Sequence, residues 1–222
     1  MRNKKALILF VILILPRLSL ATDGVWQGVF DINGHGRYDF TGLINKKDVT
    51  AFTEKAKVVY KGNISISEEN FRWNLSMYLK DGTMFGTAEI KGKLIDSNIM
   101  SGAWITEPAK DFGNIYLIKN VSGVQDTGNN INKKWVSSDS KIKKNFYIKN
   151  NKIKGNDENG CNYYGSADKL NNKIYSINLE IASCGISDGV YIGMAYIEME
   201  DSKEKLKINA TNKNFSLLMK FK

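Results

Sequence analysis

Histidine, proline and cysteine are almost missing from this chain of 222 residues, which holds one, two and two of them. One histidine, His35, cannot build a multi-histidine catalytic metal centre. Structural zinc wants four ligands at close spacing, which a distant pair of cysteines and this histidine do not provide. No G-x-S-x-G elbow and no H-E-x-x-H pair occurs, so these local signatures of esterases and zinc proteases are absent. Asp111-Phe112-Gly113 matches the metal-binding tripeptide of kinases, but no other kinase element accompanies it. Carboxylate pairs stand at Glu68-Glu69, Asp157-Glu158 and Glu198/Glu200, at expected turns or along a strand, where no cleft geometry can be read. Gly155 to Gly160 forms a short acidic turn that lacks the spaced ligands of a calcium loop. The inventory predicts no catalytic residue, no metal site and no cofactor.

Long hydrophobic runs are scarce too. Ala6 to Leu15 is unbroken for ten residues, half of the about twenty a membrane helix needs. Arg2, Lys4 and Lys5 precede it, Pro16 ends it, and Ser19 and Ala21 supply small residues before a cut. This is the layout of a secretory signal peptide, residues 1–21, cleaved after Ala21. The expected mature chain, Thr22 to Lys222, is periplasmic or secreted, has no transmembrane segment and, with no cysteine near residue 21, carries no lipid anchor. The segment takes four basic residues with it, so the formal charge of +9 falls to +5. That is ordinary for a soluble protein, and the lysines are not gathered as a nucleic-acid face would require. No nucleic-acid partner is expected.

What the chain does have is a message stated twice. Residues 81–90, D-G-T-M-F-G-T-A-E-I, match residues 188–197, D-G-V-Y-I-G-M-A-Y-I, at Asp81/Asp188, Gly82/Gly189, Gly86/Gly193, Ala88/Ala195 and Ile90/Ile197. Upstream, Asn74-Leu75 is echoed by Asn178-Leu179, and Tyr60-Lys61-Gly62 by Tyr163-Tyr164-Gly165. The flanks open on Trp26 and Trp135. Between these echoes lie short runs rich in β-branched and aromatic residues, such as Phe71 to Leu79 and Ile174 to Ile181, and no helical stripe. Asn33-Gly34, Asp81-Gly82, Asn159-Gly160 and Asp188-Gly189 read as two-residue hairpin turns. Pro108 reads as a bend or the end of an edge strand. The expected fold is all-β: two tandem antiparallel up-and-down β-barrel-like units, duplicated, of six to eight strands each. The units are residues 22–119 and 133–222, joined by a polar linker at 120–132.

The two cysteines, Cys161 and Cys184, both fall in the second unit. An even pair in an oxidising compartment predicts a disulfide, joining the segment before Tyr163-Tyr164-Gly165 to the segment before Asp188. The repeated G-x-A element puts small residues on one strand face, either for close packing where a barrel curves or to leave room for a ligand.

Two family resemblances add to this reading. Gly24-x-Trp26 resembles the opening tripeptide of lipocalins and other up-and-down barrels. The run Asn159 to Gly165, then Asn172 to Tyr175, Cys184, and Asp188 to Ala195 looks like a group of small exported proteins and lipoproteins of Gram-negative bacteria. That group carries a C-x-Y-x-G … C … G-x-Y-x-G-x-A pattern. The resemblance implies an exported β-barrel; this chain lacks the lipidated cysteine many of the group carry, and no activity comes with the likeness.

Function is therefore expected to be binding rather than chemistry. The first expectation is a macromolecular interaction module acting in the envelope or outside the cell, an inhibitor or immunity-type protein, for instance. Its candidate interaction loop is the turn carrying His35, Arg37 and Tyr38. The alternative is a carrier of a small apolar ligand, with a cavity in one barrel lined by residues such as Trp26, Trp73 and Trp104.

Overall fold

The computed structural model of the protein describes residues 22–120, 131–137, 142–170 and 174–222. The expected signal peptide and all but the ends of the expected linker lie outside these residues. Strands β1 (Gly24–Ile32), β2 (His35–Asn45), β3 (Asp48–Thr53), β4 (Val58–Ser67), β5 (Asn70–Tyr78), β6 (Met84–Asp96), β7 (Ile99–Glu107) and β8 (Phe112–Lys119) follow one another as antiparallel neighbours. Strand β8 returns to β1, so these eight close into a barrel, barrel 1.

Strands β9 (Lys134–Val136), β10 (Lys144–Lys149), β11 (Lys152–Asp157), β12 (Asn162–Lys169), β13 (Ile174–Ala182), β14 (Gly189–Glu200), β15 (Lys203–Thr211) and β16 (Ser216–Phe221) repeat the meander as barrel 2. Here the last strand meets the first at one end only. Val136 and Lys222 exchange backbone hydrogen bonds of 2.9 and 2.8 Å, and Ser137 bridges Phe221. Among the described residues the single helical turn is Gly185–Ser187, a 3-10 turn.

The echoed segments fall on strands of the same rank in each unit. Tyr60-Lys61-Gly62 and Tyr163-Tyr164-Gly165 lie on the fourth strands, Asn74 and Asn178 on the fifth, and Gly86-x-Ala88 and Gly193-x-Ala195 on the sixth. Even the tryptophans behave alike. Trp26 donates its indole N–H to the carbonyl of Thr22 (2.7 Å) and Trp135 to that of Ile131 (2.8 Å), each four residues upstream. Gly165 and Gly62 sit mid-strand because the neighbouring chain runs too close for a side chain.

Alternation builds each barrel from the inside. On β5, Phe71, Trp73, Leu75 and Met77 point inward while Arg72 and Asn74 face water. On this strand the apolar side is inside and the polar side outside. No helix among the described residues is long and apolar enough to cross a membrane.

Turn chemistry departs from expectation. Asn33-Gly34 is a two-residue turn with φ of 52° and 77°, but Asn150-Asn151 (50° and 62°) and Asp201-Ser202 (50° and 58°) turn just as tightly without glycine. Asn and Asp tolerate this left-handed region at small cost. Asp81-Gly82 and Asn159-Gly160 lie in longer connections, and Asp188 follows the 3-10 turn, so none of these three is a two-residue hairpin. Pro108 does end β7, yet β7 is no edge, since it pairs with both β6 and β8.

The barrels pack against each other. Val25, Leu43 and Phe52 on the outer wall of barrel 1 meet Ile174, Met194 and Tyr196 on the outer wall of barrel 2, with Leu218 against them. Strand β3 is consequently buried on both faces: Val49 and Ala51 join the interior of barrel 1, while Thr50 and Phe52 point the other way. Beside this apolar seam lies an ionic one. Lys207 Nζ sits 2.8 Å from Glu54 and 2.5 Å from Glu198, Lys220 also pairs with Glu54, and Gln27 donates to Glu198. Gly82 lies against the backbone of Asn214 with φ +84°, and Ser216 donates its backbone N–H and its hydroxyl to the carbonyls of Lys80 and Leu79. The β5–β6 connection of one barrel is thereby tied to the last hairpin of the other.

Candidate functional site

The disulfide forms between Cys161 and Cys184, 23 residues apart, with Cα atoms 4.8 Å from each other. It links the residue before β12 to the loop after β13 and pins one end of barrel 2. Asp157 organises the same end. Its carboxylate accepts the backbone N–H groups of Asn159 and Cys161 and the hydroxyl of Tyr163 (2.8 Å). Asp157 and the two sulfurs come close enough to suggest a metal trio, but the sulfurs are bonded to each other and leave no thiolate to bind one.

At the end of barrel 1 formed by the β1–β2, β3–β4, β5–β6 and β7–β8 connections, the interior is open. A cavity of about 220 Å³ enters here. Its wall is aromatic: Phe30, Tyr38, Phe40, Tyr60, Phe85 and Trp104 all border it. Phe30 stands nearly perpendicular to Phe40 (84°, centroids 6.2 Å apart) and to Trp104 (83°, 5.6 Å). Burial, reinforced by the Asp39 carboxylate, pushes the Tyr60 phenol up to about 12, so it stays a neutral hydroxyl.

The rim is held by hydrogen bonds rather than left loose. Asp31 accepts the backbone N–H groups of Gly34 and Asn114, both at 3.0 Å, and its carbonyl takes the indole N–H of Trp104, also at 3.0 Å. Asn33 donates to the Asp111 carboxylate (3.0 Å) and accepts from the backbone of Phe112 (3.1 Å). The β1–β2 and β7–β8 turns are thus one unit, and the cavity is formed before anything enters it.

The two barrels differ at this end in one echoed position. Tyr191 of barrel 2 corresponds to Met84 of barrel 1. Tyr191 is fully buried and donates its hydroxyl to Ser187, whereas Met84 is 52% exposed and turned out of the barrel. The small Ala88 side chain borders the space that remains.

Of the expected interaction loop, Tyr38 borders the cavity, while His35 and Arg37 are exposed on the same turn and strand outside its wall. Of the three tryptophans expected to line a cavity, only Trp104 does. Trp26 and Trp73 are completely buried in the filled part of the barrel, because their strand positions place them deeper between the sheet walls. Phe30, Tyr60 and Phe85 were not read as cavity residues from sequence; their positions on three different strands carry no local signature.

Two other depressions are larger. One of about 570 Å³ runs along β16 to the disulfide and is lined by mixed lysines, acids and apolar groups; another of about 590 Å³ lies beside Asp188 and Asn212. The first is about as enclosed as the mouth of barrel 1, but Lys57, Lys80, Lys144, Lys220, Glu54 and Asp157 make its wall charged rather than apolar; the second is more open. The carboxylates brought together by the fold, Glu54 and Glu198, are bridged by Lys207, a structural arrangement that leaves neither free to act on a substrate.

The fold defines the class: an all-β protein of two packed eight-stranded antiparallel barrel-like sheets, with an apolar mouth in the first. No family model and no curated protein matches the chain. Among solved structures, it is similar to a candidate outer membrane protein of Bacteroides fragilis at 10% identity. The likeness covers 90% of this chain and 97% of that one, with a TM-score of 0.31. At that level of superposition it carries no argument about function.

Proposed function

We propose that this is an exported protein that acts by binding, and that the mouth of barrel 1 receives a small apolar ligand. The cavity carries the reading: an enclosure of about 220 Å³, walled by aromatic rings and braced at its rim by the Asp31 and Asn33 hydrogen bonds. Apolar surface removed from water drives such binding, by roughly 25 cal/mol per Å². Export is supported by the basic-apolar-small order of residues 1–21 and by the Cys161–Cys184 bond. No covalent step is invoked.

The test is Ala88→Leu, which places a larger side chain at the cavity wall. Wild-type protein is expected to bind an environment-sensitive apolar probe such as 1-aminoanthracene, and Ala88→Leu to lose it while keeping its circular dichroism. Equal binding by both would refute the mouth as the site. Native mass spectrometry of protein from its own source would then show whether a ligand is retained.

A macromolecular partner remains the second reading, and one observation favours it. Phe85, which borders the mouth, and Phe112, whose backbone N–H is held by Asn33 of the β1–β2 turn, stand 41% and 59% exposed. A partner could present one apolar side chain to the cavity and cover these rings. Loss of partner capture on replacing Phe112 and Tyr38 by alanine would separate this from free-ligand binding.

A further inference from the structure

The wall of the barrel 1 mouth has a charge pattern that runs against the composition of the chain. The protein holds 32 lysines and arginines against 23 acidic residues, yet the charged side chains lining the cavity are both carboxylates, Glu107 and Asp111. No lysine, arginine or histidine lines it among the described residues. A third carboxylate, Asp39, acts on the Tyr60 phenol at the wall. Lys110 pairs with Glu107 at the exposed rim, the two side chains 67% and 53% accessible.

Rings and carboxylates together describe a ligand. The faces of aromatic rings are electron-rich, and a cation placed over them is attracted by roughly 0.5 to 2 kcal/mol each, most when water is excluded. Near-perpendicular neighbours such as Phe30 with Phe40 and Trp104 turn adjacent walls of a box towards one occupant. An anion would meet Glu107 and Asp111 and would be repelled. A strongly hydrated cation such as an alkali ion would find no cage of oxygens in this apolar wall to replace its water. A positive charge wrapped in methyl groups satisfies both the apolar wall and the acidic rim.

We propose that the mouth of barrel 1 selects small organic cations, alkylammonium or quaternary ammonium groups, over neutral and anionic molecules of the same shape. The proposal rests on the reading that this mouth is a ligand site and names the ligand's class. It needs three probes of nearly one shape: choline, its neutral carbon analogue 3,3-dimethylbutan-1-ol, and the anion 3,3-dimethylbutanoate. Binding to the intact mature protein is followed by titration calorimetry and by ligand-observed saturation-transfer NMR.

Choline is expected to bind roughly five- to thirtyfold tighter than the alcohol, with the carboxylate weakest. In Glu107→Gln/Asp111→Asn the preference of choline over the alcohol should shrink several-fold, while the alcohol binds as before. That second condition separates lost charge from lost folding. Trp104→Leu should weaken choline more than the alcohol. Equal affinity for choline and the alcohol would overturn the charge selectivity and leave the apolar site standing. Choline binding undiminished in all of these variants would place it elsewhere and overturn the proposal. Failure of all three probes, together with failure of 1-aminoanthracene, would remove the ligand site itself.

Discussion

Replacing Lys207 by methionine tests whether the two barrels are energetically one body. Lys207 lies between them, 2.8 Å from Glu54 of barrel 1 and 2.5 Å from Glu198 of barrel 2. Its side chain and that of Glu198 are each only 11% exposed, while Glu54 is 32% exposed and keeps Lys220 as a second partner. Removing one member of a buried ion pair costs about 3 to 5 kcal/mol, because the charge left behind has lost both water and partner. Glu54 is compensated by Lys220, so the cost falls mainly on Glu198, which keeps neutral neighbours such as the amide of Gln27 at 3.3 Å but has no second cation paired with it among the described residues. Lys207→Met is therefore expected to lose about 3 kcal/mol, at the lower end of that range. Methionine also gives up the contact of Lys207 Nζ with the Tyr196 ring, but at 6.0 Å from the centroid this adds little to the loss.

The assay is equilibrium unfolding in urea, followed by fluorescence and by circular dichroism. Trp26, Trp73 and Trp104 report barrel 1 and Trp135 reports barrel 2, so tryptophan-to-phenylalanine backgrounds can read each barrel separately. Wild-type protein should show coincident transitions. Lys207→Met should lower the midpoint of both, and Lys207→Met/Glu198→Gln should recover to within about 1 kcal/mol, since the stranded charge is then gone. A change below about 0.5 kcal/mol in the single variant, or no recovery in the double, would refute the argument.

Other consequences are equally direct. The inter-barrel network should be pH-sensitive at both extremes. Burial opposes the charge on Glu54, but Lys207 and Lys220 prevail and hold it below its ordinary 4.5; burial opposes the charge on Lys207, but Glu198 and Glu54 prevail and raise it above 10.5. The Glu54 contribution is present above 4.5 and lost as pH falls through its lowered value, and the Lys207 contribution is present below 10.5 and lost as pH rises through its raised one. A pH series of urea midpoints that stayed level into both extremes would contradict this. Cys161→Ser/Cys184→Ser should cost about 3 kcal/mol, from opening a loop of 23 residues, and should weaken barrel 2 before barrel 1. Gly62→Ala should unfold or badly weaken barrel 1, because the new methyl would fall on the carbonyl of Asn74, whereas Gly160→Ala meets open space and should cost about 1 kcal/mol for its φ of +87°. Thermal melts of the two glycine variants side by side decide the point.

Strand character, tandem organisation and the disulfide could be read from the chain alone, because each rests on local periodicity or on a short count. Alternation at Phe71, Trp73 and Leu75 needs no distant partner to be visible, and neither do the echoes of Gly86-x-Ala88 in Gly193-x-Ala195. Turns were legible only where glycine marked them, since Asn150-Asn151 and Asp201-Ser202 reach the same conformation without it. What the tertiary structure decided was which faces meet. Phe52, Met194 and Tyr196 alternate like any outward residues and become core only because one barrel covers the other. The mouth is of the same kind: Phe30, Tyr60, Phe85 and Trp104 come from four strands, and closure of the sheet through β1 and β8 brings them round one space. Periodicity tells which side of a strand is apolar, but the partner of that side is set by long-range pairing, and no local pattern encodes it.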